Sequence, residues 1–465
     1  MENLKIIKDL FTHTPDLIIR PIKKRFNTIY IVFLETVSSG DRVNSYILTP
    51  LTLPSKNKLS VKKALSGPNL KIINISQAEE YLCSGFTIIL DKQNIYAVET
   101  KAELDRGIDD SKVEPAIYGP KDSLVENINK NIGLIKRRIK SSHLKTKNNL
   151  VGRYSKTNTS VIYIDNIAKK ELVNEIINKL DSIDTDAITS AGELKQYLFN
   201  ENKNVFPPMK LTERPDTIIN ALLEGKIVIL VDNSPFAIIL PAVLADFINP
   251  TVDDYTSALN TNYLKVLRMI CFILTIITPA FYIATTNYNQ ETIPGLLLMN
   301  ISTQRFGVPF PSIVEAIIML FVCELLRESD VRFASNYGSA VSILGALILG
   351  ESAVASGIVS PIMIIVIAIT FISSLIFNEV EINGAVRAWR YIYLLFASFL
   401  GLYGLTLAFI MMLINLCSYK VYNLSYMFPV SPLDFSYLKE TLLKVKRKKQ
   451  DKRSKYLTDN VRKQA

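Results

Sequence analysis

The chain has 465 residues and a formal charge of +10, with 49% hydrophobic and 21% charged residues. That balance argues against a chain that is membrane helix throughout, which would carry less charge, and against a purely soluble enzyme, which would lack the long apolar runs; a soluble part joined to a membrane part is expected. Four cysteines with no metal-ligand or CxxC spacing, and only His13 and His143 as histidines, argue against a metal centre or a His-based triad.

The first residues, MENLKIIKDLF, carry charges inside any apolar stretch and do not read as a signal peptide. The first 245 or so residues read as α/β. Thr28–Leu34 is a β-branched and aromatic run suited to a strand, and Thr87–Leu90 and Ile95–Val98 flank a hairpin-like turn. Asp122–Lys140 has apolar residues at helical spacing and ends in Lys136, Arg137, Arg138 and Lys140, cations that suit a helix C-terminus. Basic, turn-like residues from Ser141 to Lys156 then separate a second lobe. In it Ser160–Ile164 and Lys226–Val231 read as strands, and Ala168–Leu180 and Pro215–Glu224 as helices. Pro215 stands in the first helical turn and Gly225 just past the end. Alternating strands and helices predict a largely parallel sheet. No GxGxxG or Walker loop supports nucleotide binding. Asp165 and Asp232 each follow a strand, where α/β ligand sites often form, although acidic loop residues commonly do this without any site.

Apolar segments begin near Tyr263: Leu264–Tyr288, Phe310–Leu326, Ala334–Gly357, Ser360–Phe377 and Tyr391–Cys417. Residues 334–377 hold one formal charge, Glu351, in a stretch long enough for two crossings at about 20 residues each. On the third segment Gly338, Ser342, Ala346 and Gly350 recur every four residues, with Gly345 and Ala353 on the same broad face. Small residues at this spacing let helices approach closely. The same face also suits a narrow pore in an oligomer, with Ile343, Leu347 or Leu349 as the candidate hydrophobic constriction. Glu315 and Glu324 are intramembrane acids on roughly opposite faces, Glu324 within reach of Arg327 and Glu315 the deeper candidate for an ion pathway; Glu351 marks a pore mouth or a helix end. Trp389 and Arg390 read as interface anchors of the fifth segment.

From Lys420 the chain carries 12 Lys/Arg against 4 Asp/Glu, including Lys444, Lys446, Arg447, Lys448, Lys449, Lys452, Arg453 and Lys455. Such a tail suits the cytoplasmic side and anionic lipid rather than nucleic acid, for which no stacking platform or groove-reading helix is offered. Five crossings from a cytoplasmic N-terminal region would put that tail outside. One segment is therefore expected to be re-entrant, the break at Ser360-Pro361 being the first suspect and Thr292–Ile301 a half-membrane or interfacial alternative. The expected organisation is an α/β cytoplasmic N-terminal region in two lobes, residues 1–145 and 146–250, an all-α polytopic membrane domain of about five apolar segments, 251–420, and a basic cytoplasmic tail, 421–465. No catalytic constellation, metal site or cofactor motif is found, and a non-enzyme is expected.

These residues resemble the A subunits of bacterial spore germinant receptors, the GerA family. The likeness runs through Arg106-Gly107-Ile108-Asp109, Glu114 to Pro120, Asn131 to Ile139, Thr212 to Asp216, Ala221 to Gly225 and Val231 to Phe236. It continues in Asp253 to Tyr255, Gly307 to Pro311, Val314 to Ala316, Glu324 to Glu328, Ser342 to Pro361 and Gly401 to Gly404. The family tends to have Gln where Glu351 stands, and a Leu-Pro-Lys-Pro-like run where this chain has Phe333 to Tyr337. The resemblance implies a subunit of the spore inner membrane that oligomerises into a cation channel. Its implied partners are a transporter-like, nutrient-binding B subunit and a lipoprotein C subunit.

Overall fold

A computed structural model describes the chain apart from residues 1, 13, 24–27, 54–60, 66–69, 92–93, 103–113, 115–117, 200–203, 333–337, 378, 445–452, 454–455, 459 and 461–465, and apart from the side chains of residues 2, 330–344, 346–347, 380, 436 and 440. The Arg106–Asp109 motif, the Phe333–Tyr337 run and most tail cations therefore lie outside the described residues.

The first α/β unit contains α1 (Glu2–Leu10), β1 (Leu17–Lys23), β2 (Thr28–Leu34), α2 (Gly40–Val43), a π-helical turn (Asn44–Leu48), α3 (Thr49–Thr52), α4 (Val61–Ala64), β3 (Leu70–Ile73), α5 (Ala78–Cys83), β4 (Phe86–Leu90) and β5 (Ile95–Glu99). The second contains α6 (Ile128–Arg138), β6 (Leu144–Val151), β7 (Thr157–Ile164), α7 (Lys170–Asp181), α8 (Ala191–Leu198), β8 (Lys210–Thr212), α9 (Pro215–Glu224), β9 (Ile227–Val231) and β10 (Ala237–Leu240). The sheets have orders β1-β2-β4-β5-β3 and β6-β7-β9-β10-β8, which is one topology used twice. In each, a helix precedes a hairpin, further helices lead to an edge strand, and one helix leads to the closing hairpin.

Every strand pair in both sheets is antiparallel. The expectation of a largely parallel sheet is thus wrong, because the strands joined by a single helix, β3 and β4 or β8 and β9, are not neighbours: the second strand of the closing hairpin lies between them. The presumed linker 141–156 is also corrected: its residues 144–151 form β6, paired along its whole length with β7. Both sheets are covered on both faces. In the second, α7 and α8 pack on one face and α6 and α9 on the other. In the first, α1 and α5 cover one face, and the α2–α4 segment the other.

Local chemistry sets several ends. The Asn127 side chain accepts from the backbone of Asn129 and Lys130 at 3.0 and 3.1 Å, and Asp232 accepts from Ile128 N at 3.2 Å, so the free N–H groups of α6 are met by oxygens. Asp232, one of the two strand-end acids, is therefore a cap. Asp165 stands in the turn after β7, its N–H bonded to the His143 carbonyl. Helix α9 runs from Pro215 to Glu224 as expected. The two units are joined by Lys136, whose Nζ lies 2.7 Å from both oxygens of Asp16, a carboxylate that also accepts from Thr36.

After α10 (Leu244–Ile248) the chain builds a helical layer: α11 (Ala258–Asn287), α12 (Gly295–Arg305), α13 (Ser312–Arg332), α14 (Gly338–Ala355), α15 (Pro361–Ser374) and α16 (Val380–Ser418). The runs Ala258–Asn287 and Glu381–Ser418 are long and apolar enough to cross a membrane, and Pro361–Ser374 is a shorter apolar helix. The second of these runs is folded on itself. Gly401 is non-helical (φ 60, ψ −139), and the Tyr393 hydroxyl lies 3.8 Å from the Met412 sulfur, which a straight helix would hold about 28 Å away. A Cβ on Gly401 would sit 2.7 Å from that of Tyr288, and one on Gly404 would overlap the Phe396 carbonyl, so the reversal needs both glycines.

This hairpin settles the direction of each helix. Its two ends return to the second α/β unit: Glu379 pairs with Lys210 at 2.6 Å, Glu381 with Lys195, and Tyr426 O accepts from Leu244 N at 3.1 Å. Its tip meets the far end of α11, where Leu402 N donates to Asn289 at 3.3 Å. Ser312 and Arg305 also reach Asn287 at this far end, at 3.2 and 3.1 Å. Helices α11, α13, α14, α15 and the two halves of α16 therefore make six passes, while α12 stays at the far end. The chain thus reverses at Ser360-Pro361, between α14 and α15, and again at Gly401: the fifth apolar segment is two passes rather than one, which supplies the even number that a re-entrant segment was expected to supply.

The chain then forms β11 (Lys420–Val421), β12 (Leu424–Ser425) and α17 (Phe435–Leu442) beside the second unit. Lys444 Nζ donates to the carbonyls of Asp253, Asp254 and Thr256 at 2.6, 3.0 and 2.8 Å, and Arg453 to that of Leu223 at 2.6 Å. Thr458 forms a bridge to Ala168. The described part of the tail thus lies on protein.

Candidate functional site

At 100° per residue, Gly338, Ser342, Gly345, Ala346, Leu349, Gly350 and Ala353 share an arc of about 140° on α14, with Glu351 on the opposite side. Gly345 packs on α13, where a Cβ would stand 3.5 Å from Leu326, and Ala353 packs on the cluster formed by Ile283, Ala316 and Met363. Gly350 faces open space. Ile348 and Leu349 are 53% and 49% exposed, and Glu351 and Ser352 are exposed as well. The side chains of Ser342 and Ala346 lie outside the described residues. On the small-residue arc Gly345 and Ala353 are thus packed while Leu349 between them is half-exposed, and the rest of the uncovered surface holds Ile348, Ser352 and the charged Glu351.

The three acids have separate surroundings. Glu315 is 0% exposed; one oxygen accepts from both the N–H and the hydroxyl of Ser360 at 2.9 Å, and the other is buried without a partner among the described residues. It stands at the N-terminus of α15, where a carboxylate is favoured by the helix dipole. Glu324 pairs with Arg387 at 2.6 Å, not with Arg327 as the spacing suggested. Arg327 instead donates to Ser374 at 2.6 Å and lies over Phe371. Arg390, expected at an interface, is 3% exposed inside the helical layer. That cluster was missed because its members come from three helices; the spacing of Arg387 and Arg390, one turn apart, was its only signal.

A second cluster joins the sheets to the helices. Arg214 holds Asp216 with contacts of 3.0 and 2.6 Å, and reaches the Glu114 carbonyl at 3.1 Å. Thr212 donates to the Glu114 side chain at 2.6 Å, and the Tyr255 hydroxyl to Asp216 at 2.7 Å. Burial and this carboxylate push the Tyr255 hydroxyl up to about 12, and burial raises the Glu114 carboxyl. Burial also pushes Glu379 up to about 7, against the attraction of Lys210. Several motifs far apart in sequence thus meet where α16 begins. Among the described residues no group of three His, Cys, Asp or Glu side chains forms a metal cluster. Cys83 and Cys271 are buried, Cys323 is half-buried and Cys417 is exposed.

Residues 5–456 match the profile of the Bacillus/Clostridium GerA spore germination protein family. Spore germination protein KA of Bacillus subtilis strain 168 is 37% identical over 347 residues, covering 74% of this chain but 64% of that relative, somewhat under two thirds of its length. Spore germination protein GerLA of Bacillus cereus is 31% identical over 467 residues, 98% of this chain and 95% of that one. The N-terminal domain of the A subunit of the Bacillus megaterium spore germinant receptor GerK3 matches 52% of this chain and 94% of its own length at 28% identity, with a TM-score of 0.41. The chain belongs to the GerA family of spore germination proteins, the A subunits of germinant receptors.

Proposed function

We propose that this chain is a multi-pass membrane subunit that oligomerises into a nutrient-gated cation channel, with the uncovered side of α14 turned to its copies and to the conduit. The observation that carries this is the half-exposed Leu349 on the small-residue arc of α14, beside the exposed Ile348, while Gly345 and Ala353 of the same arc are already packed. Six passes of helix support a bilayer setting, because their even number keeps both the α/β units and the basic tail on one side, as the bias of Lys and Arg requires. That side is the cytoplasm, and the membrane is the inner membrane of the spore. In this reading the chain divides into 1–145, 146–250, 251–420 and 421–465, except that α6 and the first residues of β6, though before 146, belong with the second sheet. The partners are a nutrient-binding, transporter-like B subunit and a lipoprotein C subunit. The tail cations outside the described residues meet anionic lipid, while Lys444 and Arg453 hold the protein. The chain performs no covalent chemistry.

A non-conducting scaffold is the second reading, and the packing of Gly345 and Ala353 within one chain favours it. Cysteine scanning from residue 334 to 361, read by water-soluble thiol reagents in the assembled receptor, separates the two. Labelling of positions around Leu349, with ion flux altered when Leu349 or Gly345 is resized, supports the channel. Flux unchanged across the whole set would leave the scaffold.

A further inference from the structure

We propose that Arg327 and Arg390 bind a phosphate group inside the helical layer, presented by the headgroup of an anionic lipid on the side of the α/β units. Three guanidinium groups from α13 and the first half of α16 gather here, and Glu324 is the carboxylate among them, paired with Arg387 at 2.6 Å. Arg327 spends one nitrogen on the Ser374 hydroxyl and lies 5.4 Å from the Phe371 ring centre, but its Nη1 is buried without a partner among the described residues. Arg390 is 3% exposed, and both its Nε and Nη2 are buried without a partner among the described residues. Glu324, Arg327 and Cys323 are the charged or titratable side chains of α13 near enough to act on its charge.

A guanidinium keeps its proton in any protein setting, so it cannot relieve burial by becoming neutral. Leaving such a charge unpaired in an apolar layer is strongly unfavourable. The missing element is an anion. Three unused N–H-bearing nitrogens on two planar forks suit a tetrahedral oxyanion, which accepts several charge-assisted hydrogen bonds at once. The depth selects the source. Arg387, one turn nearer the α/β units than Arg390, has a third of its side chain exposed, and Glu381, under two turns further back, already touches Lys195. Basic pockets between helices at this level are suited to phosphate headgroups. Nothing in the tail is involved, and the site is distinct from α14. The lipid source rests on the bilayer reading above; the phosphate chemistry does not.

The test uses the full chain, purified in detergent and in nanodiscs of phosphatidylcholine with or without phosphatidylglycerol. Native mass spectrometry reads retained lipid, and thermal unfolding in detergent reads inorganic phosphate against chloride at matched ionic strength. The expected result is phosphatidylglycerol retained about tenfold over phosphatidylcholine, a preference lost in Arg390→Gln and reduced in Arg327→Gln. Arg390→Lys, which keeps the charge and loses the fork, guards against a folding defect and should retain part of it. Stabilisation by inorganic phosphate with no lipid preference would keep the phosphate site and assign it to free phosphate. Neither effect, or a lipid preference that survives both glutamine variants, would overturn the proposal. A chain that does not enter nanodiscs would overturn the bilayer reading alone, and the phosphate arm would then decide the site.

Discussion

The two α/β units share one topology but are completed differently. In the first, the chain leaving β5 continues to Lys101 and bridges Ser38. In the second, the chain leaving β10 turns away at Pro241 into the helical layer, and the equivalent place beside Ala168 is filled by Thr458, more than 200 residues later. The match is close. A Cβ on Gly85 would stand 2.7 Å from the Val37 carbonyl and 3.0 Å from Lys101; one on Gly225 would stand 3.0 Å from the Leu457 carbonyl and 3.3 Å from Thr458. The first unit is thus locally closed, whereas the second is finished only when the chain has returned from the helical layer. That second unit also holds both ends of α16, through Lys195, Lys210, Leu198 and Leu244. The end of the chain and the base of the helices are fastened to one body.

The strongest way to break the comparison is at the joint between the units. Asp16→Ala strands Lys136, whose side chain is 6% exposed, and should cost about 3 to 5 kcal/mol, because a buried charge is left without its partner. Proteolysis should then release the first unit while the second stays intact. Equal loss of both units would mean that they fold as one block.

Deleting residues 456–465 should cost about 3 kcal/mol, from the burial of Leu457 at 4% exposure and of Tyr456 against Phe428. Hydrogen exchange should quicken at the start of α7 and in β9 and leave β2, β4 and β5 unchanged. A uniform change across both sheets would contradict the division into a closed unit and a completed one.

Much of this was legible in local pattern. The β-branched runs at β2, β4, β7 and β9 are strands, and α9 lies between its Pro215 and Gly225 signals. Strand direction was not legible, since a buried run reads the same in parallel and antiparallel sheets. Strand β6 was missed because Lys145, Lys147, Asn148 and Asn149 are the composition of a solvated edge rather than a core strand. The hairpin in α16 was missed for a different reason: helical apolar periodicity continues on both sides of Gly401, and only tertiary contacts distinguish a reversal from a kink. The same holds for the site. The shared arc on α14 follows from period alone, but what it faces depends on α13, and the partners of Glu315 and Glu324 come from α15 and α16.

Gly85→Ala and Gly225→Ala sharpen the comparison at smaller scale. Both positions have positive φ, 83 and 99, so each alanine should cost about 1 to 2 kcal/mol. Gly85→Ala should be the worse, because its Cβ meets the fixed backbone after β2, whereas the tail at Leu457 is able to shift. Paired unfolding measurements check the order, and in the chain lacking 456–465 the cost of Gly225→Ala should fall.

The smallest effect concerns the link from the second unit to α16. Glu379 is raised from 4.5 to about 7, first by burial, with Glu114 and Glu381 adding to it and Lys210 opposing. Its neutral form is therefore the one the fold prefers. Below the unfolded value both states are protonated and the group is neutral to stability. As pH rises through 4.5 towards 7, the unfolded chain releases the proton and the folded chain keeps it, so stability falls; above the folded value the loss is complete and constant. Between about pH 6 and about pH 8 the loss from this group should be about 1 kcal/mol. Glu379→Gln should flatten that slope in thermal unfolding, since the amide is fixed in the neutral state. Lys210 keeps the Asp246 carbonyl at 3.1 Å and gains the amide oxygen of the glutamine as an acceptor, so its hydrogen bonds stay met in the variant. An unchanged slope would place the titration elsewhere in the cluster and leave the junction between sheet and helix insensitive to pH.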